Sequence, residues 1–170
     1  IFTILSTIYM LVNTANAQLD SIYNQGQYRT FIVHEPTGYS SSNQYPLALN
    51  LHGLSSSATF QQNYTQFDDV ADSLDFIVVY PNGTSNSWTT IGNSDVDFLS
   101  SLVDSIRAEY STNNCLFVTG FSLGGFMTYK FANNTPHTVT AIAVGSGNMS
   151  FALQNASASA PQIPVMHFHG

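Results

Sequence analysis

The feature that most constrains this chain is a serine between two glycines, in the pentapeptide Gly-Phe-Ser-Leu-Gly at 120–124. An apolar run of strand length precedes the pentapeptide, and a segment with helical spacing follows it. A strand, a sharp turn with a central serine and a helix form the context in which Gly-x-Ser-x-Gly presents a serine nucleophile at the edge of a sheet. Gly120 and Gly124 lack the side chains that would clash in so tight a turn. The motif therefore predicts that Ser122 is a catalytic nucleophile, with a plain Gly/Ser turn as the alternative.

Strand-like and helix-like segments alternate along the rest of the chain. Predicted strands cover, in order, 28–34, 46–51, 76–80, 115–119, 139–144 and 164–168. Apolar residues at helical spacing predict three helices, over 60–74, over 96–110 with Ser94 or Asp95 as N-cap, and over 125–132. This alternation indicates an α/β fold with a mostly parallel sheet and flanking helices. Ligands of such sheets bind at the carboxyl ends of the strands.

The first part of the chain is typical of a secretory signal peptide. An apolar stretch over 1–12 is followed by Ala-Asn-Ala at 15–17, a small-residue cleavage site, whereas the basic n-region of a signal is missing. A buried N-terminal helix or a membrane anchor is the alternative, but the apolar stretch is too short to span a bilayer. We therefore expect a signal peptide over 1–17, a secreted protein, and the N-terminal part of a single catalytic domain over 18–170.

Composition excludes several classes of partner. The chain has 3 Lys+Arg against 10 Asp+Glu and a net charge of -7, so nucleic acid and, after signal cleavage, anionic membranes are poor partners. The single cysteine, Cys115, falls in a predicted strand and is expected to be a buried thiol. The five histidines are scattered and show no metal-ligand spacing, so neither a metal nor an organic cofactor is predicted.

A second motif, Leu-His-Gly-Leu at 51–54, ends the second predicted strand. Attack on an ester creates a tetrahedral oxyanion that needs preorganised N–H donors. In this architecture one donor is the residue after the nucleophile, here Leu123, and the other lies in the loop after an early strand. The second donor is predicted to be Leu54, with Ser55 as the other candidate, and Gly53 would allow a close backbone approach. The alternative is a glycine-containing turn beside a satisfied core histidine.

Five blocks of sequence together resemble a known family. The blocks are 29–36, 46–53, 76–83, 95–98 and 118–127. They are similar to secreted polyhydroxybutyrate depolymerase/feruloyl esterase-type α/β-hydrolases, and the resemblance runs from about Tyr28 to Gly170. It implies an α/β-hydrolase fold truncated at its C-terminal side, with Ser122 as nucleophile and Leu54 and Leu123 lining the oxyanion hole. It also implies that the triad aspartate and histidine follow Gly170, so this chain alone is expected to be inactive.

The remaining histidines and acids are predicted to lie outside the catalytic triad. The order in these hydrolases is serine, acid, histidine. His137 follows the serine but falls in a loop expected at the surface, and His167 and His169 precede the expected acid. The two are expected to pack at a strand end, with a position near the site as the alternative for His169. Asp95 and Asp97 are interpreted as helix-start acids, which the helix dipole favours.

Together these residues predict a serine carboxylic ester hydrolase that acts through an acyl-enzyme. The resemblance implies polyhydroxyalkanoate oligoesters, or feruloyl or acetyl esters of polysaccharide, as substrates. Trp88 lies in the loop after the third predicted strand and is a candidate for stacking on substrate, with packing as the alternative. Two other classes remain open: a non-catalytic secreted binding module on a hydrolase scaffold, and a peptidase of the same fold.

Overall fold

The computed structural model describes residues 19–89, 91–149 and 162–169. Its strands are β1 (Leu19–Asn24), β2 (Gln27–His34), β3 (Tyr45–Leu51), β4 (Ile77–Pro81), β5 (Thr112–Phe121), β6 (Ala141–Gly145) and β7 (Val165–Phe168). Its helices are α1 (Ala58–Thr65), α2 (Phe67–Leu74), α3 (Ser94–Glu109) and α4 (Leu123–Asn134), with a short 3₁₀ helix at Thr84–Asn86. The predicted signal peptide over 1–17 lies outside the described residues.

The strands of the described residues form one sheet in the order β1-β2-β4-β3-β5-β6-β7. β1 pairs with β2, and β2 with β4, in antiparallel fashion. The other four pairings, from β4 through β3 and β5 to β6 and β7, are parallel. The prediction of a mostly parallel α/β fold is therefore confirmed.

The two faces of the sheet carry cores of unequal size. On one face Leu47, Leu49 and Leu51 are fully buried against α3 and α4. On the other face Ala48 belongs to a smaller cluster with residues of α1 and α2, among them Ala71. Because the side chains of a strand alternate between faces, β3 contributes to both cores and lies at the centre of the domain.

The first strand was not anticipated by the sequence pattern. β1 is short and mostly exposed, so it carries no apolar alternation that would identify it. Its pairing with β2 is fixed by the two-residue turn Gln25-Gly26, in which both residues have positive φ, 47° and 84°. Such turns match the twist of antiparallel strands.

The helical spacing over 60–74 predicts one helix, but the structure has two. Gln66 takes a left-handed conformation with φ 48° and separates α1 from α2. Of the predicted apolar stripe only Ala71 is buried, whereas Phe60, Tyr64 and Leu74 are 58%, 60% and 68% exposed. The spacing therefore identified helical structure, although three of the apolar residues that show it lie on the surface.

The other predicted helices are confirmed, with one corrected cap. The apolar stripe of α3, including Val96, Leu99 and Ile106, is buried as predicted. Its N-cap, however, is Asn93, which makes no side-chain cap bond, and not Ser94 or Asp95. Cys115 is half-buried and not fully buried as expected. No helix within the described ranges has the length and hydropathy needed to cross a membrane.

Candidate active site

The turn between β5 and α4 holds Ser122 in a strained conformation. Ser122 has φ 53° and ψ -118°, a region that residues with a Cβ rarely occupy. Two backbone hydrogen bonds hold the turn in this conformation. The Ser122 N–H donates to the Gly145 carbonyl oxygen at 2.8 Å, and the Ser122 carbonyl oxygen accepts from the Gly125 N–H at 2.9 Å. The half-buried Ser122 hydroxyl has no hydrogen-bond partner in the part of the chain that the structure describes.

The two glycines of the pentapeptide are required by backbone packing. A Cβ on Gly120 would overlap the Gly124 carbonyl oxygen and lie 2.8 Å from Thr128 Oγ1. A Cβ on Gly124 would overlap the Leu51 carbonyl oxygen and lie 2.6 Å from that of His52. Real Cβ atoms do not approach oxygen this closely, so only glycine lets α4 begin against β3.

Three backbone N–H groups near Ser122 were candidates for an oxyanion hole, and the structure separates them. The Ser55 N–H donates to the Asn86 carbonyl oxygen at 2.8 Å and is therefore occupied. The Leu54 and Leu123 N–H groups have no acceptor among the described residues. Leu123 is the first residue of α4, where an N–H group has no partner within the helix.

Gly53 lies beside the serine but not in the tight contact that the sequence suggested. A Cβ on Gly53 would be 3.6 Å from the Phe121 carbonyl oxygen and 3.6 Å from the Ser122 Cβ. These are ordinary van der Waals distances, so the close approach of the loop at Gly53 does not depend on the missing side chain. The position nevertheless brings the loop after β3 next to the serine.

His52 is a fully buried, fully bonded histidine in that loop. Its Nδ1–H donates to the Gly53 carbonyl oxygen at 2.7 Å, and its Nε2 accepts from the Gly83 N–H at 2.9 Å. Burial lowers the pKa of His52, opposed in part by the bond to Gly53 and the charge of Asp95. The structure shows the satisfied core histidine that was offered as the alternative, and in the same segment the Leu54 N–H has no acceptor among the described residues.

Trp88 is a packing residue, which corrects its prediction as a substrate contact. Its side chain is 3% exposed, so the indole has no free face for a substrate. Its Nε1–H donates to the His52 carbonyl oxygen at 2.8 Å, and its ring packs on the imidazole with centroids 4.9 Å apart.

Lys130 on α4 fixes the same loop by donating to the carbonyl oxygens of Thr89 and Gly92. Burial lowers the pKa of Lys130, and nearby Asp95 partly opposes that shift.

An ion pair buried behind this loop was missed by sequence reasoning. Arg29 on β2 donates to an Asp95 carboxylate oxygen at 2.8 Å, and the two side chains are 5% and 1% exposed. The second Asp95 oxygen accepts from the Thr89 N–H at 2.6 Å, and the guanidinium lies 3.8 Å from the Phe98 ring centroid. Asp95 is therefore in the first turn of α3 as expected, but it binds Arg29 and not the helix end. The available signal was an arginine within an apolar strand pattern in a chain with 3 Lys+Arg.

We expect Asp95→Asn to lower the free energy of unfolding by about 3 kcal/mol, because it leaves the Arg29 charge buried without a counter-charge. Asp97→Asn is the matched control, since Asp97 lies in the same helical turn but is exposed. It should change stability by less than about 0.5 kcal/mol. Urea unfolding of the two variants measures the difference, and equal effects would contradict the assignment of Asp95 to a buried pair.

The histidines that follow the serine are bonded elsewhere. His137 is half-buried, with Nε2 3.1 Å from the Ser100 carbonyl oxygen, so the expectation of a surface position is wrong. His167 bonds the Tyr129 hydroxyl through Nδ1 at 2.9 Å, and its ring stacks on that of His169. In the described ranges no histidine bonds Ser122, and no group of three His, Cys, Asp or Glu is placed to hold a metal ion.

The strand order and the strained serine turn before α4 define an α/β-hydrolase fold. Residues 24–162 match the family model described as "Putative esterase". Since the match covers most of the chain, the protein belongs to this esterase family. The predicted resemblance to feruloyl esterase-type α/β-hydrolases is confirmed, and its polyhydroxybutyrate depolymerase part stays a prediction.

Two curated relatives and one solved structure illustrate the similarity. The chain is 32% identical over 149 residues to the bifunctional acetylxylan esterase/xylanase XynS20E of Neocallimastix patriciarum, covering 86% of this chain and 22% of that protein. It is 30% identical over 127 residues to the probable feruloyl esterase C of Aspergillus terreus, covering 71% of this chain and 47% of that protein. A crystal structure of a thermostable esterase superposes with a TM-score of 0.73 at 16% identity, over 90% of this chain and 46% of that one. The chain thus spans half the length of these relatives or less.

Proposed function

We propose that the gene product containing this chain is a carboxylic ester hydrolase in which Ser122 is the nucleophile. The observation that carries the proposal is the conformation of Ser122, strained at φ 53° with an unbonded hydroxyl among the described residues. Strain of this kind costs about 1–3 kcal/mol and persists where the surroundings impose it, as they do at many active sites. Membership of the esterase family supports the same conclusion.

In the proposed reaction the Ser122 oxygen attacks the ester carbonyl carbon, and a general base takes the hydroxyl proton. The Leu54 and Leu123 N–H groups donate to the oxyanion, and each such donor typically lowers the barrier by about 3 kcal/mol. The alcohol leaves with a proton, and water then releases the acid from the acyl-enzyme. Because no described histidine bonds Ser122, the proposal assigns the base and its acid to residues outside the described ranges.

Esters of plant polysaccharide are the substrate class that the relatives favour. One relative is named as an acetylxylan esterase and another as a feruloyl esterase. Polyhydroxyalkanoate oligoesters remain a further candidate from the sequence resemblance. The proposal includes secretion, which such polymeric substrates require and which the signal-like segment over 1–17 supports.

An exposed aromatic surface beside the serine favours an aromatic acyl group. Phe60 and Tyr64 on α1 stack with centroids 5.7 Å apart and planes 14° apart, and Tyr64 lies 5.9 Å from the Phe121 ring. Phe121 immediately precedes Ser122 and is 39% exposed. A planar feruloyl group has the shape and polarity to pack on these rings, whereas an acetyl group is too small to gain from them.

We expect Tyr64→Ala to lower kcat/KM for methyl ferulate about 10-fold, because one aromatic contact and its buried area are lost. Hydrolysis of p-nitrophenyl acetate should change less than about 2-fold, since that acyl group does not reach the rings. Tyr23→Ala is the control: Tyr23 is equally exposed and pairs with Tyr28, but it lies on β1, four strands from β5. An equal loss for both substrates would contradict an aromatic acyl site.

The function is tested by covalent labelling and a substrate panel with the complete gene product. A fluorophosphonate probe should form one adduct, which peptide mapping places on Ser122. Methyl ferulate, acetylated xylan and a 3-hydroxybutyrate oligomer then compare the three ester classes. Absence of both adduct and ester turnover would instead support a binding module, and faster cleavage of peptides than of esters would support a peptidase.

A further inference from the structure

His52 lies one residue before the peptide group that joins Gly53 to Leu54. We propose that His52 positions the Leu54 N–H group for the oxyanion of the ester-cleavage step, an inference that rests on the proposed function. The histidine is bonded to the carbonyl oxygen of the same peptide group whose N–H has no acceptor among the described residues. It acts through that peptide and does not touch the substrate, so it is a positioning residue.

The planar peptide group between Gly53 and Leu54 connects the His52 bond to the direction of the Leu54 N–H. A trans peptide is planar, and its C=O and N–H point in opposite directions. The Nδ1–H of His52 holds the Gly53 carbonyl oxygen at 2.7 Å, which turns the Leu54 N–H away from the imidazole. The loop lies next to Ser122 at this point, since a Cβ on Gly53 would be 3.6 Å from the Ser122 Cβ. The bond to His52 thus fixes which way the Leu54 N–H faces.

The imidazole is itself fixed by contacts on its other side. Its Nε2 accepts from the Gly83 N–H at 2.9 Å, and the Trp88 indole packs on the ring at 4.9 Å between centroids. Trp88 also donates to the His52 carbonyl oxygen at 2.8 Å. An oxyanion donor is effective when it is in place before charge develops, because no reorganisation is then needed during the reaction. A ring held at both nitrogens provides that rigidity.

The bonding pattern also excludes a role for His52 as general base. Nδ1 carries the proton because its partner is a carbonyl oxygen, and Nε2 is unprotonated because its partner is an N–H group. A second proton on Nε2 would face the N–H of Gly83. Burial lowers the pKa of His52, consistent with a ring that stays neutral. Both nitrogens are therefore committed to backbone partners.

The test uses two substitutions of His52 in the complete gene product. Each keeps one of the two hydrogen bonds that the imidazole makes, to Gly53 or to Gly83. The amide of His52→Asn places a donor where Nδ1 stands, and the longer side chain of His52→Gln places its terminal group where Nε2 stands. We expect His52→Gln to lower kcat for p-nitrophenyl acetate on the order of 100-fold with little change in KM, as loss of an oxyanion donor does. We expect His52→Asn to keep kcat within about 5-fold of the wild type, although it loses the bond to Gly83.

Thermal unfolding of both variants separates positioning from stability. Equal losses of kcat in the two variants would overturn the proposal. So would losses of kcat that parallel the losses in Tm and do not depend on whether the variant keeps a donor at the Nδ1 position. A wild-type protein that hydrolyses no ester would overturn the proposed function instead. The His52 bond is tested separately by NMR: a slowly exchanging imidazole Nδ1–H signal, absent from His52→Gln, is expected, and its absence from the wild type would refute the geometry.

Discussion

Ser122→Ala should lower kcat/KM for ester hydrolysis by about 10⁵-fold, because removal of the proposed nucleophile leaves only binding and oxyanion stabilisation. The Leu54 and Leu123 N–H groups are backbone atoms and survive the substitution, so a small residual rate is expected above that of water. Ser41→Ala, in an exposed turn, is the control and should leave kcat/KM unchanged. A loss below about 100-fold would indicate that another group performs the attack.

The strain at Ser122 gives this prediction a second, independent readout. Alanine at φ 53° has the same steric conflict as serine, so Ser122→Ala should leave the free energy of unfolding nearly unchanged. Glycine occupies that region freely, and Ser122→Gly should therefore stabilise the protein by about 1 kcal/mol while abolishing activity. An inactive variant that is more stable than the wild type is the signature of a backbone strained for function. Equal stabilities of the alanine and glycine variants would contradict the strain.

Local patterns in the sequence were sufficient for most of the sheet. A continuous apolar run identified β4, because a strand that is covered on both faces has no polar side. The helix over 94–109 was equally clear, since its apolar stripe has one large core to face. The pentapeptide at 120–124 identified the serine turn because the contacts that require its glycines are local. They involve residues a few positions away and one adjacent strand.

What could not be predicted depends on contacts between distant parts of the chain. The Arg29–Asp95 pair joins residues that are 66 positions apart in the chain. The sequence around each residue does not indicate which residue it pairs with. The burial of Trp88 is decided by His52, 36 positions earlier. The exclusion of Ser55 as an oxyanion donor depends on the Asn86 carbonyl oxygen, which no sequence spacing indicates. Periodicity predicts which face of a helix or strand is apolar. Which residues that face contacts depends on parts of the chain that periodicity does not describe.

Gly124→Ala should cost more than about 4 kcal/mol and prevent folding of most of the protein. An alanine in the first turn of a helix ordinarily stabilises it relative to glycine by up to about 1 kcal/mol, so propensity predicts the opposite sign. The contact decides the outcome, because the new Cβ would overlap the Leu51 carbonyl oxygen and lie 2.6 Å from that of His52. The Leu51 oxygen belongs to the last residue of β3, which is paired with β4 and β5 and cannot move aside, and His52 follows it directly in the chain.

Gly53→Ala is the matched control for stability, because it is the same chemical change a short distance away. Its Cβ would meet Phe121 and Ser122 atoms at 3.6 Å, so the variant should unfold within about 1 kcal/mol of the wild type. Neither glycine has a positive φ, and the two substitutions restrict the unfolded chain equally. The difference between their urea midpoints therefore isolates the packing of α4 against β3. Equal midpoints would mean that α4 can move away from β3 to accommodate the new Cβ. The close contact between Gly124 and β3 would then not be what holds Ser122 in place.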